Sequence, residues 1–114
     1  MLISELAART GVSARALRHY DSHGVLVPHR DANGYRVYAE ADVPRVLQIR
    51  SMIAAGLTTD IIGRYLDCAR TGDHGVTLDM CPRLRAEVDA ISARLERRRA
   101  ELEQTRERLG ALTS

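Results

Sequence analysis

The chain has no tryptophan, no phenylalanine and no lysine. Without the two largest apolar rings, any core must be aliphatic, with the four tyrosines as its only large rings. All 17 basic residues are arginine, whose planar fork suits bidentate contact with phosphate and guanine, although genome composition produces the same bias. No apolar run approaches the ~20 residues that cross a bilayer, and the N-terminus lacks the basic-then-apolar pattern of a secretion signal. Two cysteines, Cys68 and Cys81, do not make the disulfide framework of a small secreted domain. Together these absences argue against a membrane partner and for a cytoplasmic chain. A strong net charge is missing too: +2 over 114 residues announces no polyanionic partner by itself.

What is present is unevenly placed. Apolar residues make up 45% of the chain, enough for one small domain, or a small domain with an appended helix. The stretch from Gly11 to Tyr38 carries four arginines (Arg15, Arg18, Arg30, Arg36) against two aspartates (Asp21, Asp31), with three of the four histidines. A short basic helix followed by a basic, tyrosine-bearing hairpin is suited to gripping a nucleic-acid duplex.

Taken in order, Ser4 is expected to cap a first helix from Glu5 to Thr10, with Ile3, Leu6 and Ala7 inward and Gly11 ending it. Ser13 caps a second helix, Ala14 to His23. Val12 before that cap and Leu17 within the helix form a hydrophobic staple. Two short helices joined so tightly read as a helix-turn-helix. Gly24 stops the second helix, and Val25, Leu26 and Val27 read as a strand that Pro28 ends. Asn33-Gly34 signals a hairpin, since both residues tolerate positive φ, and Tyr35 to Tyr38 form the returning strand of a wing. Asp42 caps a third helix with Pro44 in its first turn and Val43, Val46, Leu47, Ile49 and Ile53 on its apolar face; Gly56 ends it. Thr58 caps a fourth, in which Ile61, Ile62, Tyr65, Leu66 and Ala69 recur at helical spacing. Residues 71–81, with Gly72 and Gly75, read as a linker.

From Pro82 onward the pattern changes. Leu84, Val88, Ile91, Leu95, Leu102, Leu109 and Leu112 alternate at four and three residues, with Arg98 and Thr105 at the two remaining seam positions. That is a coiled-coil seam. A helix of about 45 Å at ~1.5 Å per residue is too long to bury its stripe on so small a domain, and a second copy of itself is the expected cover.

GVSARALRHYDSHGVL, then P-x-R, GYRVY and AEADVPRVLQI, resembles the MerR family of bacterial transcription regulators over residues 1–70, with the later helix agreeing in placement. The resemblance implies a mainly α fold: a winged helix-turn-helix DNA-binding domain over 1–70 with a small β-hairpin wing, the linker, and a long C-terminal coiled-coil dimerisation helix over 82–112. It implies a homodimer that binds double-stranded promoter DNA and distorts it, with RNA polymerase as the further partner. Arg18 and Tyr20 match the family's R-x-Y on the second helix, where the pair meets phosphate and groove. Tyr35, Arg36 and Tyr38 match the wing motif, whose hydroxyls and guanidinium suit phosphate oxygens. Ser13, Ala14 and Arg15 open the recognition helix and are placed to reach base edges, Arg15 able to pair with a guanine. His19 and Arg30 complete the expected DNA-binding set. Ala16 departs from the family, where threonine is common. Tyr20 and Tyr38 have a competing role as packing residues with solvated tips.

Cys81 stands where metal-sensing relatives carry one thiolate ligand, but those relatives supply further cysteines from a loop after the helix. Ser114 follows almost at the helix end, with no later Cys or His, so neither a metal site nor a large effector domain is expected. Cys81 is a marginal candidate ligand, with His74 nearby in sequence; no cofactor is expected. Two other readings stay open: an architectural or adaptor protein that bends DNA without sensing anything, and a coiled-coil module whose N-terminal domain binds protein. No paired carboxylates, nucleophile-base set or Gly-rich phosphate loop points to an enzyme.

Overall fold

The computed structural model describes all residues, Met1–Ser114, and divides into two compact units, Met1–Met80 and Cys81–Ser114. In the first, α1 (Ile3–Thr10) and α2 (Ala14–Ser22) are followed by a hairpin of β1 (His29–Arg30) and β2 (Arg36–Val37). Then come α3 (Asp42–Ala54), α4 (Thr59–Tyr65), a single 3₁₀ turn and a second hairpin of β3 (Ala69–Gly72) and β4 (Gly75–Leu78). The second unit is one helix, α5 (Pro82–Thr113). The architecture is mainly α with a small β-hairpin wing and a long C-terminal helix, as the sequence led us to expect.

The core of the first unit is aliphatic around two rings. Leu6, Leu17, Val46, Ile49 and Ile62 are almost wholly removed from solvent, with Tyr20 and Tyr38 among them. Val12 and Leu17, the two halves of the staple, share this cluster. On α3 the buried face is Val46, Ile49 and Met52 together with Gln48, while Leu47 and Ile53 stay exposed. Gln48 is tolerated because its amide donates to Thr71 Oγ1 at 3.2 Å and its carbonyl accepts from Arg45 Nη1 at 3.0 Å.

Several local expectations need correcting. Helix α1 begins at Ile3 behind Leu2, which gives no side-chain cap, so Ser4 lies inside the first turn. Val25 to Val27 form no strand. The N–H groups of Val25 and Leu26 both donate to Tyr20 O, at 2.8 and 3.3 Å, closing the end of α2 once Gly24 has turned left-handed at φ +68°. The strand starts after Pro28. Tyr38 leaves the returning strand: its N–H donates to Met1 O at 2.7 Å, and the N-terminal ammonium donates to Tyr38 O. Asp42 lies within the first turn of α3 and reaches back to accept from Ala39 N–H at 2.8 Å. Helix α4 stops at Tyr65, so Ala69 is buried from strand β3 instead.

The expected linker over 71–81 is largely the second hairpin, paired from Ala69↔Leu78 to Gly72↔Gly75. Its two-residue turn, Asp73 and His74, is followed by Gly75 at φ +107°. An Arg70–Asp79 ion pair and the Asp79 N–H bond to Cys68 O tie its base.

In α5, Pro82 occupies the first turn and Cys81 is the cap, its sulfur accepting from Leu84 N–H at 3.5 Å. Along the seam Leu84 and Ile91 are buried and Val88 half-buried, while Leu95, Leu102, Leu109 and Leu112 are 55–83% exposed.

Candidate nucleic-acid interface

The turn between α1 and α2 is fixed from several directions. Gly11 adopts φ +74°, and a Cβ there would meet Arg50 Nη1 at 3.2 Å, because that guanidinium donates to Thr10 O at 3.0 Å. Thr10 Oγ1 donates to Leu6 O and accepts from Val12 N–H. Ser13 Oγ then accepts from Ala16 N–H at 3.1 Å, satisfying one of the first-turn donors of α2.

With its start fixed, the 3.6-residue repeat of α2 sorts its side chains. Leu17 and Tyr20 point inward; Ser13, Arg15, Arg18, His19, Ser22 and His23 are exposed, and Ala14 and Ala16 half-buried. Arg15 and Arg18 make no hydrogen bond or ion pair within the protein. Two uncompensated guanidiniums on one exposed helix face suit a polyanion. His19 and His23, one turn apart, bring their rings to 3.9 Å at a tilt of 40°, and a His23 Nδ1–His19 O contact of 3.0 Å helps close the helix end.

The wing beside α2 is held by its own turn chemistry. Asp31 Oδ1 accepts from the N–H groups of Asn33 (2.9 Å) and Tyr35 (3.0 Å), and Asp31 O accepts from Gly34 N–H (3.0 Å). Only Gly34, at φ +81°, is left-handed, so Asn33 does not supply the second positive φ that the sequence suggested. The loop is a three-residue turn with the left-handed residue last. Tyr35 projects from it, 64% exposed.

Arg18, Arg30, Tyr35 and Arg36 meet the start of α1 (Leu2, Ile3, Ser4) around a cleft of about 380 Å³. Arg30 donates to Gly34 O at 2.9 Å and reaches Asp21 at 3.4 Å; Arg36 donates from Nε to Asp21 at 2.9 Å. A second, more apolar recess joins Ser13, Arg15, Ala16 and His19 to Ile53, Leu57 and Thr59.

Tyr20 and Tyr38, expected on the DNA surface, are placed in the core at 4% and 2% exposure. Burial pushes both phenols above their ordinary value, with Arg50 opposing the shift at Tyr20 and Arg36 at Tyr38. The packing role fits them better, and the solvated tip is wrong for Tyr38, whose buried hydroxyl has no hydrogen-bond partner. In a chain without Phe or Trp, two of four tyrosines became the core's rings. Residues that the sequence reading passed over are Asp21, Arg50 and the first turn of α1. Asp21 did leave a signal, as a lone acid within a basic helix. Cys81 is exposed and Cys68 half-buried, and no three His, Cys, Asp or Glu side chains gather at metal-binding separation.

A family model described as MerR HTH family regulatory protein matches residues 1–68. The HTH-type transcriptional regulator SkgA of Caulobacter vibrioides is 36% identical over 96 residues, covering 83% of this chain and 35% of that regulator. The HTH-type transcriptional activator TipA of Streptomyces coelicolor is 33% identical over 94 residues, covering 82% of this chain and 34% of that activator. Among solved structures, the N-terminus of MtaN, the Bacillus subtilis multidrug transporter activator, matches with a TM-score of 0.66 and 31% identity over 95% of each chain. The chain thus spans about a third of the length of SkgA and TipA.

Proposed function

Because the chain belongs to the MerR helix-turn-helix family of regulatory proteins, we propose that it is a transcription regulator that binds promoter DNA as a homodimer. The observation that carries this reading is the pair of unpaired guanidiniums, Arg15 and Arg18, on the exposed face of a helix whose start is fixed by Ser13. Helix α2 enters the major groove, where Ser13, Ala14, Arg15 and His19 face base edges and Arg18 a phosphate. The wing, through Tyr35, Arg30 and Arg36, lies on the flanking backbone.

Dimerisation is supported by the open half of the α5 seam. Leu95, Leu102, Leu109 and Leu112 recur at heptad positions, exposed, and a second copy of the same helix covers such a stripe. Two-fold symmetry then places two recognition helices on inverted half-sites. Distortion of the promoter and contact with RNA polymerase, in the cytoplasm, complete the proposed role; no catalytic step is assigned.

The test is selection of duplexes from a random pool by the full chain, followed by salt titration of the recovered sequence. The expected result is one recovered motif whose log affinity falls with log salt at a slope of roughly −0.9 per phosphate neutralised. Recovery of no motif, or binding indifferent to salt, would overturn the reading.

A further inference from the structure

One acidic side chain ties the recognition helix to both strands of the wing. Asp21 lies in the last turn of α2, its side chain 15% exposed, and its Oδ2 accepts from Arg36 Nε at 2.9 Å and from Arg30 Nη2 at 3.4 Å. Those two arginines face each other across the hairpin in register. Arg30 spends its other terminal nitrogen on Gly34 O at 2.9 Å, so the carboxylate, both strands and the glycine of the loop form one connected set.

The two arginines are not held alike. Arg30 uses both terminal nitrogens within the protein, one on Gly34 O in the wing and one on Asp21 of α2. Arg36 is held by Nε, and its two Nη groups make no hydrogen bond within the protein, although Arg36 lines the cleft with Arg18 and Tyr35. A guanidinium gripped at Nε keeps its terminal fork available in a set direction, which is the geometry that bidentate phosphate binding requires. The rotamer freedom that Arg36 would lose on binding is already lost.

We propose that Asp21 is a positioning residue for the DNA grip: it locks the wing to α2 and aims the terminal fork of Arg36 at one backbone phosphate. The inference rests on the DNA-binding reading above. Asp21 also places a negative charge beside a polyanion, which weakens general attraction. It therefore acts on discrimination between duplexes more than on raw affinity. Without it, Arg36 is a mobile cation that meets any phosphate, while Arg30 keeps only its bond to Gly34 O.

The full chain is compared as wild type, Asp21→Ala, Arg36→Ala and the double variant. Each is titrated with the duplex that the wild type recovers from a random pool and with a scrambled duplex, between about 50 and 200 mM salt. Asp21→Ala should lower affinity for the recovered duplex roughly tenfold, the order expected for one lost charge-assisted contact. It should leave scrambled binding as strong or stronger, with a salt slope no shallower. In the Arg36→Ala background the same change should add little, because both act through one contact. Asp21→Asn, which keeps the shape and removes the charge, repeats the test if the alanine variant melts early. An unchanged ratio between the duplexes, or equal loss on both with a flatter slope, would show a merely structural carboxylate and overturn the proposal. Failure of the wild type to recover any duplex would overturn the DNA-binding reading along with it.

Discussion

The two units, Met1–Met80 and Cys81–Ser114, handle apolar surface in opposite ways. In the first, each of α1 to α4 contributes a side chain that is almost wholly buried: Leu6, Leu17, Val46 with Ile49, and Ile62. In the second, the apolar pattern is more regular, yet Leu95, Leu102, Leu109 and Leu112 remain exposed. Short helices separated by tight turns can fold their stripes onto one another. Helix α5 buries Leu84 and Ile91 but leaves its stripe open from Leu95 onward, and a regular open stripe of that kind is what a partner helix would cover.

Breaking that stripe should have the largest effect. Replacing Leu95 and Leu102 with Asp would bury unpaired charge in the seam. The double variant should sediment as a monomer and lose specific DNA binding, while the thermal transition of the first unit stays in place; a variant that still sediments as a dimer would contradict the seam. Next in size is a cavity in the first unit. Ile49→Ala should cost about 2–5 kcal/mol of unfolding free energy, whereas Leu109→Ala in a monomeric background should stay within about 0.5 kcal/mol. Equal losses in denaturant titration would erase the contrast between the units. Arg15→Ala touches neither core nor seam. It should leave melting unchanged and relax preference at one base position by roughly 1–3 kcal/mol, and an unchanged ranking of selected sites would remove Arg15 from base reading.

Tyr38→Phe should have the smallest effect, because it deletes a buried hydroxyl that has no partner. At neutral pH, stability should hold or rise by up to about 1 kcal/mol, and DNA affinity should not fall. A clear loss of affinity would restore the contact role. Burial holds the folded phenol above its ordinary value near 10. The stability tied to that shift is therefore complete below about pH 10 and is lost as pH rises through the folded value. The phenylalanine variant should show a smaller alkaline loss in melts across the range, since the buried Tyr20 phenol, also raised, keeps its own share.

Elements with chemical punctuation were legible in the sequence. Ser13 and Thr58 as caps, Gly11, Gly24 and Gly56 as left-handed stops, and the long helix from Pro82 all stand where the residues put them. What was not legible depended on competition for backbone donors or on distant partners. Val25–Val27 reads as a β-branched strand, but the carbonyl of Tyr20 takes two of its N–H groups. The β3–β4 hairpin hid in a glycine-bearing stretch whose strands are four residues long, with Val76 and Leu78 as its only inward alternation. At the candidate interface, the arginines were found by their charge and by the resemblance of the helix and wing motifs. Sequence could not show that Arg15 and Arg18 would be left unpaired while Arg30 and Arg36 converge on Asp21, since that pairing spans the helix and both strands of the wing.

The most direct test of a two-headed DNA regulator joins stoichiometry and footprint in one sample. The full chain, mixed with the duplex that it selects, would be sedimented to count chains per duplex, and the protected bases mapped on both strands. The account predicts two chains per duplex and a protected inverted repeat whose half-sites are centred about one helical turn apart or a multiple of it. A single chain per duplex, with the chain alone sedimenting as a monomer at micromolar concentration while a full inverted repeat is protected, would contradict it.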